Sequence, residues 1–475
     1  MSRGRYRFRP RVLPQPDRGP LARLLPRLSS ARAPALLDSA GGEPARFSIL
    51  GFDPLPADPS AAPLGGAPAA FAWLRALHAS LEPAGGDPVP GPFAGGFLGA
   101  LAYDLGVAGE GLTLPAEPWG LPLVAGGLYV DYLVRDEARS RTWLVLGEEP
   151  GDGRPSIGAR RRGIEELLAA EPPGPAGPRP LGPLARCVPP AEHRRRVQAA
   201  RELIAAGEIY QANLAHRLLR PVAGDPRALY LRLRRENRAP YMGYLDLGEA
   251  GALLSASPEL LLEVDAGPRG LRARTRPIKG TAPRSPDPAE DRERARALLA
   301  SPKDLAELGM IVDLERNDLG RVARAGSVRV EGFPSLRSYA RVHHLVADVV
   351  AEPRPGADAL DVLAALFPGG SVTGAPKLRS MEVIAELEGE GRGFFCGSLG
   401  CLDTRGRALW SVLIRTLLWR PRPDLGPGGG EVSFRVGGGI TWSSEPAAED
   451  AETLAKAASL AAALELPAGA EAAAP

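Results

Sequence analysis

Apolar positions in the first 150 residues come in short runs, ARFSILGF, GGFLGALAYDL, GGLYVDYLV and TWLVLG, each cut off by Pro/Gly-rich turns. Runs of this length bounded by turn formers predict strands with long loops and few helices. EPPGPAGPRPLGPLARCVPP (171–190) has no periodicity and reads as a linker after a strand-rich segment over 1–170. The pattern then changes. Over 191–206, Val197, Ala200 and Ile204 share one helical face, and Gly207 supplies the stop. EIYQANLAHRL alternates as a strand, and strands recur at GYLDL, ALLSASPELLLEV, GLRART, FFCGSLGCLD, LWSVLIRTLLWR and VSFRVGGG. Helices are predicted over 289–319, 358–366, 376–388 and 446–463. Strands, helices and strands again predict an α+β fold with antiparallel sheets, not a βαβ array. The main domain spans 191–465, with a flexible tail at 466–475.

Composition narrows the class. Gly and Pro together make 107 of 475 residues, below the level of a low-complexity chain, and 44% hydrophobic residues supply a large core. A net charge of +2 implies no basic sheath for nucleic acid. Cys187, Cys396 and Cys401 provide neither a disulfide framework nor zinc-ligand pairs. MSRGRYRFRP has no apolar stretch behind it, and no uncharged run approaches the roughly 18 residues of a membrane span. A soluble cytoplasmic protein is expected. The basic residues carry a sharper signal: of 58, only Lys279, Lys303, Lys377 and Lys456 are lysine. Where arginine serves every ordinary positive charge, a retained lysine points to a compact ammonium or a removable proton.

GGSVTGAPK has P-loop glycine spacing at Gly369 and Gly374, but Ala375-Pro376 stands where that motif needs Lys-Ser/Thr. The same segment reads as a loop feeding a helix with Pro376 in its first turn. Free N–H groups there, with the Ser371 and Thr373 hydroxyls, suit an anion; a plain capped helix is the alternative. Asp304 and Glu307 are three apart on one predicted helix, and Glu449 and Glu452 on another, with Lys456 four further on. Carboxylates from two facing helices make an oxygen-only site suited to Mg²⁺. Ordinary helix-dipole acids and an i,i+4 ion pair explain the same spacing. Lys279 lies between a strand and a Gly-Thr turn, where removal from water makes an amine a nucleophile or base. Glu259 lies in an apolar strand, where desolvation suits it to general-acid work, unless it faces water at a sheet edge. Arg415 interrupts an apolar strand and calls for an anionic partner, structural or substrate. His343 and His344 have the chemistry to polarise a substrate oxygen or to sit satisfied in the core.

These segments resemble the chorismate-utilising family: the synthase subunits of anthranilate and aminodeoxychorismate synthases and their isochorismate and salicylate relatives. The strings are GEIYQANLAHR, SPELLL, RPIKGT, ELGMIVDLERNDLGRV, VHHLV, FPGGSVTGAPKLRSMEVIAELE, FFCGSLG, IRT and VGGGITWSSEPAAEDAETLAKA, in the family's order over about 200–460. LLDSA and ARFSILGFDP carry a weaker likeness over 30–150. The resemblance implies two stacked antiparallel sheets flanked by helices, with a Mg²⁺-dependent site between them. Carried over by motif, Glu307 and Glu452 are Mg²⁺ ligands with Asp304 and Glu449 close by, and the metal holds the chorismate C1 carboxylate. Gly280, Thr281, Ser371 to Gly374 (Thr373 among them), Arg415, Gly437, Gly438, Gly439 and Lys456 surround the substrate, and His344 lies beside the ring. Phe395 departs from the Tyr of several relatives and offers no hydroxyl to the pyruvyl carboxylate.

Lys279 decides the branch. The resemblance is to aminodeoxychorismate synthases, which read P-I-K-G-T, where anthranilate synthases carry Ala for the Lys. It implies lysine attack at C2, helped by Mg²⁺ and a general acid for which Glu259 is the candidate, then ammonia at C4. The product, 4-amino-4-deoxychorismate, leads to 4-aminobenzoate and folate. Ammonia is expected from a separate glutamine amidotransferase subunit, because no histidine follows His344 to serve a glutaminase cysteine. An anthranilate synthase and a non-catalytic partner subunit of the same fold are the alternatives. An RNA-binding protein, suggested by Arg160–Arg162 and Arg194–Arg196, is disfavoured by the balanced charge and the lack of an aromatic-rich strand motif.

Overall fold

The computed structural model describes residues 6–29, 32–41, 46–55, 67–110, 112, 115–148, 153–170, 178–267, 270–339 and 341–465. The tail at 466–475 and residues 171–177 of the predicted linker lie outside the described residues. Among them, strands assemble into a 14-stranded and a 9-stranded sheet, antiparallel but for the short pairing of Tyr6–Gln15 with Leu81–Pro83. A large apolar cluster, including Leu128, Leu262, Leu345 and Trp410, fills the core beside the smaller sheet, and Leu50, Leu254, Leu417 and Phe434 belong to a second. No helix among the described residues is long and apolar enough to cross a membrane.

Several runs that read as one strand are two. ALLSASPELLLEV divides into Ala252–Ser257 in the larger sheet and Leu260–Gly267 in the smaller. LWSVLIRTLLWR divides in the opposite sense, into Ala408–Val412 and Thr416–Pro421. GGLYVDYLV likewise feeds Val124–Tyr129 and Tyr132–Asp136 to different sheets. Residues buried on both sides of such a crossing keep the run apolar, so periodicity alone shows no break.

The helix expected over 289–319 is also two, Pro288–Leu299 and Pro302–Gly320. Ser301 caps the second, its Oγ accepting from Asp304 N at 3.3 Å, and Pro302 takes the first turn. The early region carries more helix than expected: Ala67–Ala79, Tyr103–Gly109 and Ile157–Ala169. Nor does 171–190 separate two sheets. Strands before it (Phe47–Gly51, Gly96–Leu101) share both sheets with strands after it, and Arg179–Pro180 and Ala185–Arg186 pair along Gln211–Ala223.

Candidate active site

The two sheet-switching segments run side by side and carry the first pair of site residues. Val412 N donates to Glu259 O at 3.1 Å, and Ala256 N donates to Arg415 O at 3.0 Å. Arg415 has φ +52°, a left-handed conformation that turns the chain out of one sheet into the other. Its guanidinium has no carboxylate at ion-pair distance among the described residues, so a structural partner does not account for it. Glu259 is 3% exposed. Burial raises its pKa against the opposing effects of Ser371, Lys279 and the Ile278 N–H.

Lys279 comes from the neighbouring strand Ile278–Pro283, half-buried, with Nζ donating to Ser371 O at 3.3 Å. Burial lowers its pKa, while Glu307, Glu259 and Glu452 push back. Gly280 breaks the strand register with φ +73°, and a Cβ there would sit 3.0 Å from Asp304. Past this bulge, Thr281 Oγ1 lies 2.8 Å from His344 Nδ1. Burial and Arg415 push the His344 imidazole down to about 4, so it is neutral at physiological pH with Nε2 unpartnered. His343 turns elsewhere, to Ser338 and Asp291, and is satisfied there.

Helix Pro302–Gly320 brings Asp304 and Glu307, and helix Pro446–Glu465 brings Glu449, Glu452 and Lys456. Glu307 is raised by burial, with Lys279 and Lys303 lowering it and Asp304 and Glu449 raising it. Burial acts upward on Glu452, but Lys456 at 2.7 Å outweighs it and the pKa falls. Lys456 also donates to Gly437 O at 3.0 Å, and a Cβ on Gly438 would lie 3.0 Å from Glu449 Oε2. Three of the four lysines thus gather at one acidic cluster, and Lys377 pairs instead with Asp318 at 2.5 Å. Hard carboxylate oxygens from two helices fit Mg²⁺ by their chemistry. With Glu452 turned onto Lys456 and Glu307 3.9 Å from Lys303, they do not yet converge on one point.

Other predicted residues shape the site without presenting a polar group. The Thr373 hydroxyl turns back to Gly369 O at 3.0 Å, and a Cβ on Gly374 would lie 2.0 Å from Gln211 O. The helix after them begins at Lys377, with exposed Pro376 at its N-cap rather than in its first turn and with no side-chain cap. Phe395 packs in the core with the Arg392 guanidinium 5.6 Å from its ring centre. One residue escaped sequence reasoning: Gln211, fully buried, with neither amide atom hydrogen-bonded. Ala212 and Leu214 face a cluster under the helices, so strand alternation turns Gln211 to the opposite face with Ala215, which joins the core beside the smaller sheet. A Cβ on Gly439 would lie 3.2 Å from its amide, so a donor and an acceptor stand free beside the glycine run. The only signal in the sequence was a polar residue at an inward position.

The profile described as chorismate binding enzyme matches residues 55–462. The chain belongs to the chorismate-binding enzyme family. Within it, the chain is 39% identical over 442 residues to anthranilate synthase component 1 of Streptomyces coelicolor, covering 89% of this chain and 81% of that one. It is also 39% identical over 393 residues to aminodeoxychorismate synthase component 1 of Klebsiella aerogenes, covering 82% and 81%. The solved anthranilate synthase component I from Streptococcus pneumoniae superposes with TM-score 0.72 at 28% identity, covering 88% of this chain and 93% of that one. This family member is therefore a chorismate-utilising enzyme, with two relatives of different product specificity equally similar.

Proposed function

We infer that the chain aminates chorismate at C4, giving 4-amino-4-deoxychorismate. The observation that carries this reading is the pairing of Lys279, its pKa lowered by burial, with Glu259, its pKa raised by burial. An amine poised to lose its proton beside a carboxyl poised to keep one is a nucleophile with a general acid. Arg415, with no carboxylate of its own, receives one chorismate carboxylate. Mg²⁺ held by Glu307 and Glu452, with Asp304 and Glu449 beside them, would neutralise the ring carboxylate and draw electron density toward it.

Lys279 Nζ bonds to C2, the ring double bonds shift, and the C4–O bond breaks as Glu259 passes its proton to the departing hydroxyl. Water leaves. Ammonia then bonds to C4, the double bonds shift back, and the C2–Nζ bond breaks to free Lys279. The proton lost from nitrogen returns to Glu259, so chorismate and ammonia become aminodeoxychorismate and water. The ammonia comes from a separate glutamine amidotransferase. Burial raises the pKa of the Cys396 and Cys401 thiols, and partial desolvation raises that of surface-exposed Cys187, which leaves no activated cysteine for glutamine hydrolysis among the described residues.

The similarity to an anthranilate synthase supports a second reading, in which ammonia adds at C2 and pyruvate is eliminated. Incubation with chorismate, Mg²⁺ and ammonium separates the two. Aminodeoxychorismate, with a mass adduct on Lys279 when ammonia is withheld, is the expected result; anthranilate plus pyruvate would overturn it.

A further inference from the structure

Behind the helix that carries Glu449 and Glu452 lies a second cluster that the reaction does not use. Asp450, 8% exposed, is gripped by Arg186, with Nη2 2.8 Å from Oδ1 and Nη1 3.4 Å from Oδ2. His193 Nδ1 lies 3.0 Å from the same Oδ1. His216 Nε2 lies 3.0 Å from Thr453 Oγ1 and 3.3 Å from Arg186 Nη2. His193, His216 and Asp450 have ligand atoms within 4.8 Å of one another, spacing that a metal ion could use. The guanidinium already answers that carboxylate, and a divalent ion would have to displace it. The two buried imidazoles stand neutral beside it, so the cluster is an ion pair walled by rings.

We propose that Arg186 is a positioning residue for the cation site, fixing through Asp450 the rotation of helix Pro446–Glu465. At about 100° per residue, Asp450 and Thr453 lie roughly a quarter-turn from Glu449 and Glu452. Whatever holds the first pair sets where the second points. Arg186 is itself fixed, on a short strand paired with Leu218 and Leu219, in a segment further tied by Arg220 Nε to Gly182 O at 3.1 Å and Arg232 Nη1 to Pro178 O at 2.8 Å. Residues 178–190 thus form a strap that orients the acidic helix. Mg²⁺ demands near-ideal octahedral placement, so a small rotation of its carboxylates weakens it far more than it weakens a flexible organic substrate.

The proposal rests on the reading of Glu307, Glu449 and Glu452 as the cation site. Calorimetric titration of the full chain with Mg²⁺, without substrate, tests it together with the Mg²⁺ dependence of turnover. Arg186→Leu should weaken Mg²⁺ binding at least tenfold, with kcat and chorismate KM at saturating Mg²⁺ within twofold of wild type. Arg186→Lys should recover part of the affinity. Asp450→Asn, nearly isosteric, should reproduce the loss if Arg186→Leu fails to fold. A lowered Tm with unchanged Mg²⁺ affinity in these variants would overturn the proposal and leave a purely structural ion pair. Absence of Mg²⁺ binding by the wild type would overturn the cation-site reading itself, and the proposal with it.

Discussion

Lys279 acts through the loss of one proton, which gives it a testable pH signature. Burial lowers its folded pKa, so the unprotonated amine accumulates as pH rises through a value below the ordinary 10.5. The rising limb of kcat/KM should lie below that of an exposed lysine. Lys279→Ala should remove the mass adduct and cut turnover by orders of magnitude while chorismate and Mg²⁺ still bind. Lys279→Arg should do no better, because guanidinium keeps its proton. Full aminodeoxychorismate synthesis by Lys279→Ala would sink this role. Gly280 is the neighbouring constraint. An alanine there meets both the left-handed φ and the Asp304 side chain at 3.0 Å, and should cost roughly 1–2 kcal/mol in denaturant melts. Lys279 was legible because lysine is rare in this chain. Gln211 was not, since an unpaired amide exists only once strand pairing has buried it.

Two helices meet at the acidic cluster, and each can be loosened separately. Ser301→Ala removes the cap of helix Pro302–Gly320 and should cost about 1 kcal/mol of stability in denaturant melts. Because Asp304 stands in that first turn, Mg²⁺ half-saturation should also rise; an unchanged value would detach the helix start from the cation site. Glu307→Gln and Glu452→Gln should keep the fold, weaken Mg²⁺ binding and nearly abolish turnover, since a neutral amide is a poorer ligand for a hard dication. Wild-type rates at limiting Mg²⁺ would remove that residue from the ligand set. The i,i+3 spacing was visible from sequence at both helices. That the Lys303–Glu307 and Glu452–Lys456 pairs, each within its own helix, would face one another across one site was not, because helical periodicity says which residues share a face and nothing about which helix it confronts.

The whole molecule hides histidines that it keeps neutral, which sets how stability depends on pH. His344 is held at about 4 and His216 at about 3, against 6.5 in the unfolded chain. With folded values depressed, the unfolded state takes up protons first, so stability is full above pH 6.5 and falls as pH drops toward 4. Shifts of this size are on the order of 3–5 kcal/mol per group. Thermal melts from pH 7 to pH 4 should show a steep loss that His216→Gln makes shallower; a flat profile would contradict neutral burial. Many element types over 190–465, the lysine bias, the acid spacings and the family resemblance followed from residue order, because helix caps, periodicity and motif spacing are local, whereas helix Pro226–Glu236 and strands Ile278–Pro283, Arg329–Ser338 and Val342–Ala351 went unread. Tertiary structure alone decided that one apolar run serves two sheets, that the early strands share both sheets with the late ones, and that a Pro/Gly-rich stretch grips Asp450. It alone brought Glu259, Lys279, Arg415 and the acids of two helices together. Apolar runs look alike whether a sheet continues or changes, and burial, which moves the pKa of Glu259 and Lys279, depends on neighbours far away in the chain.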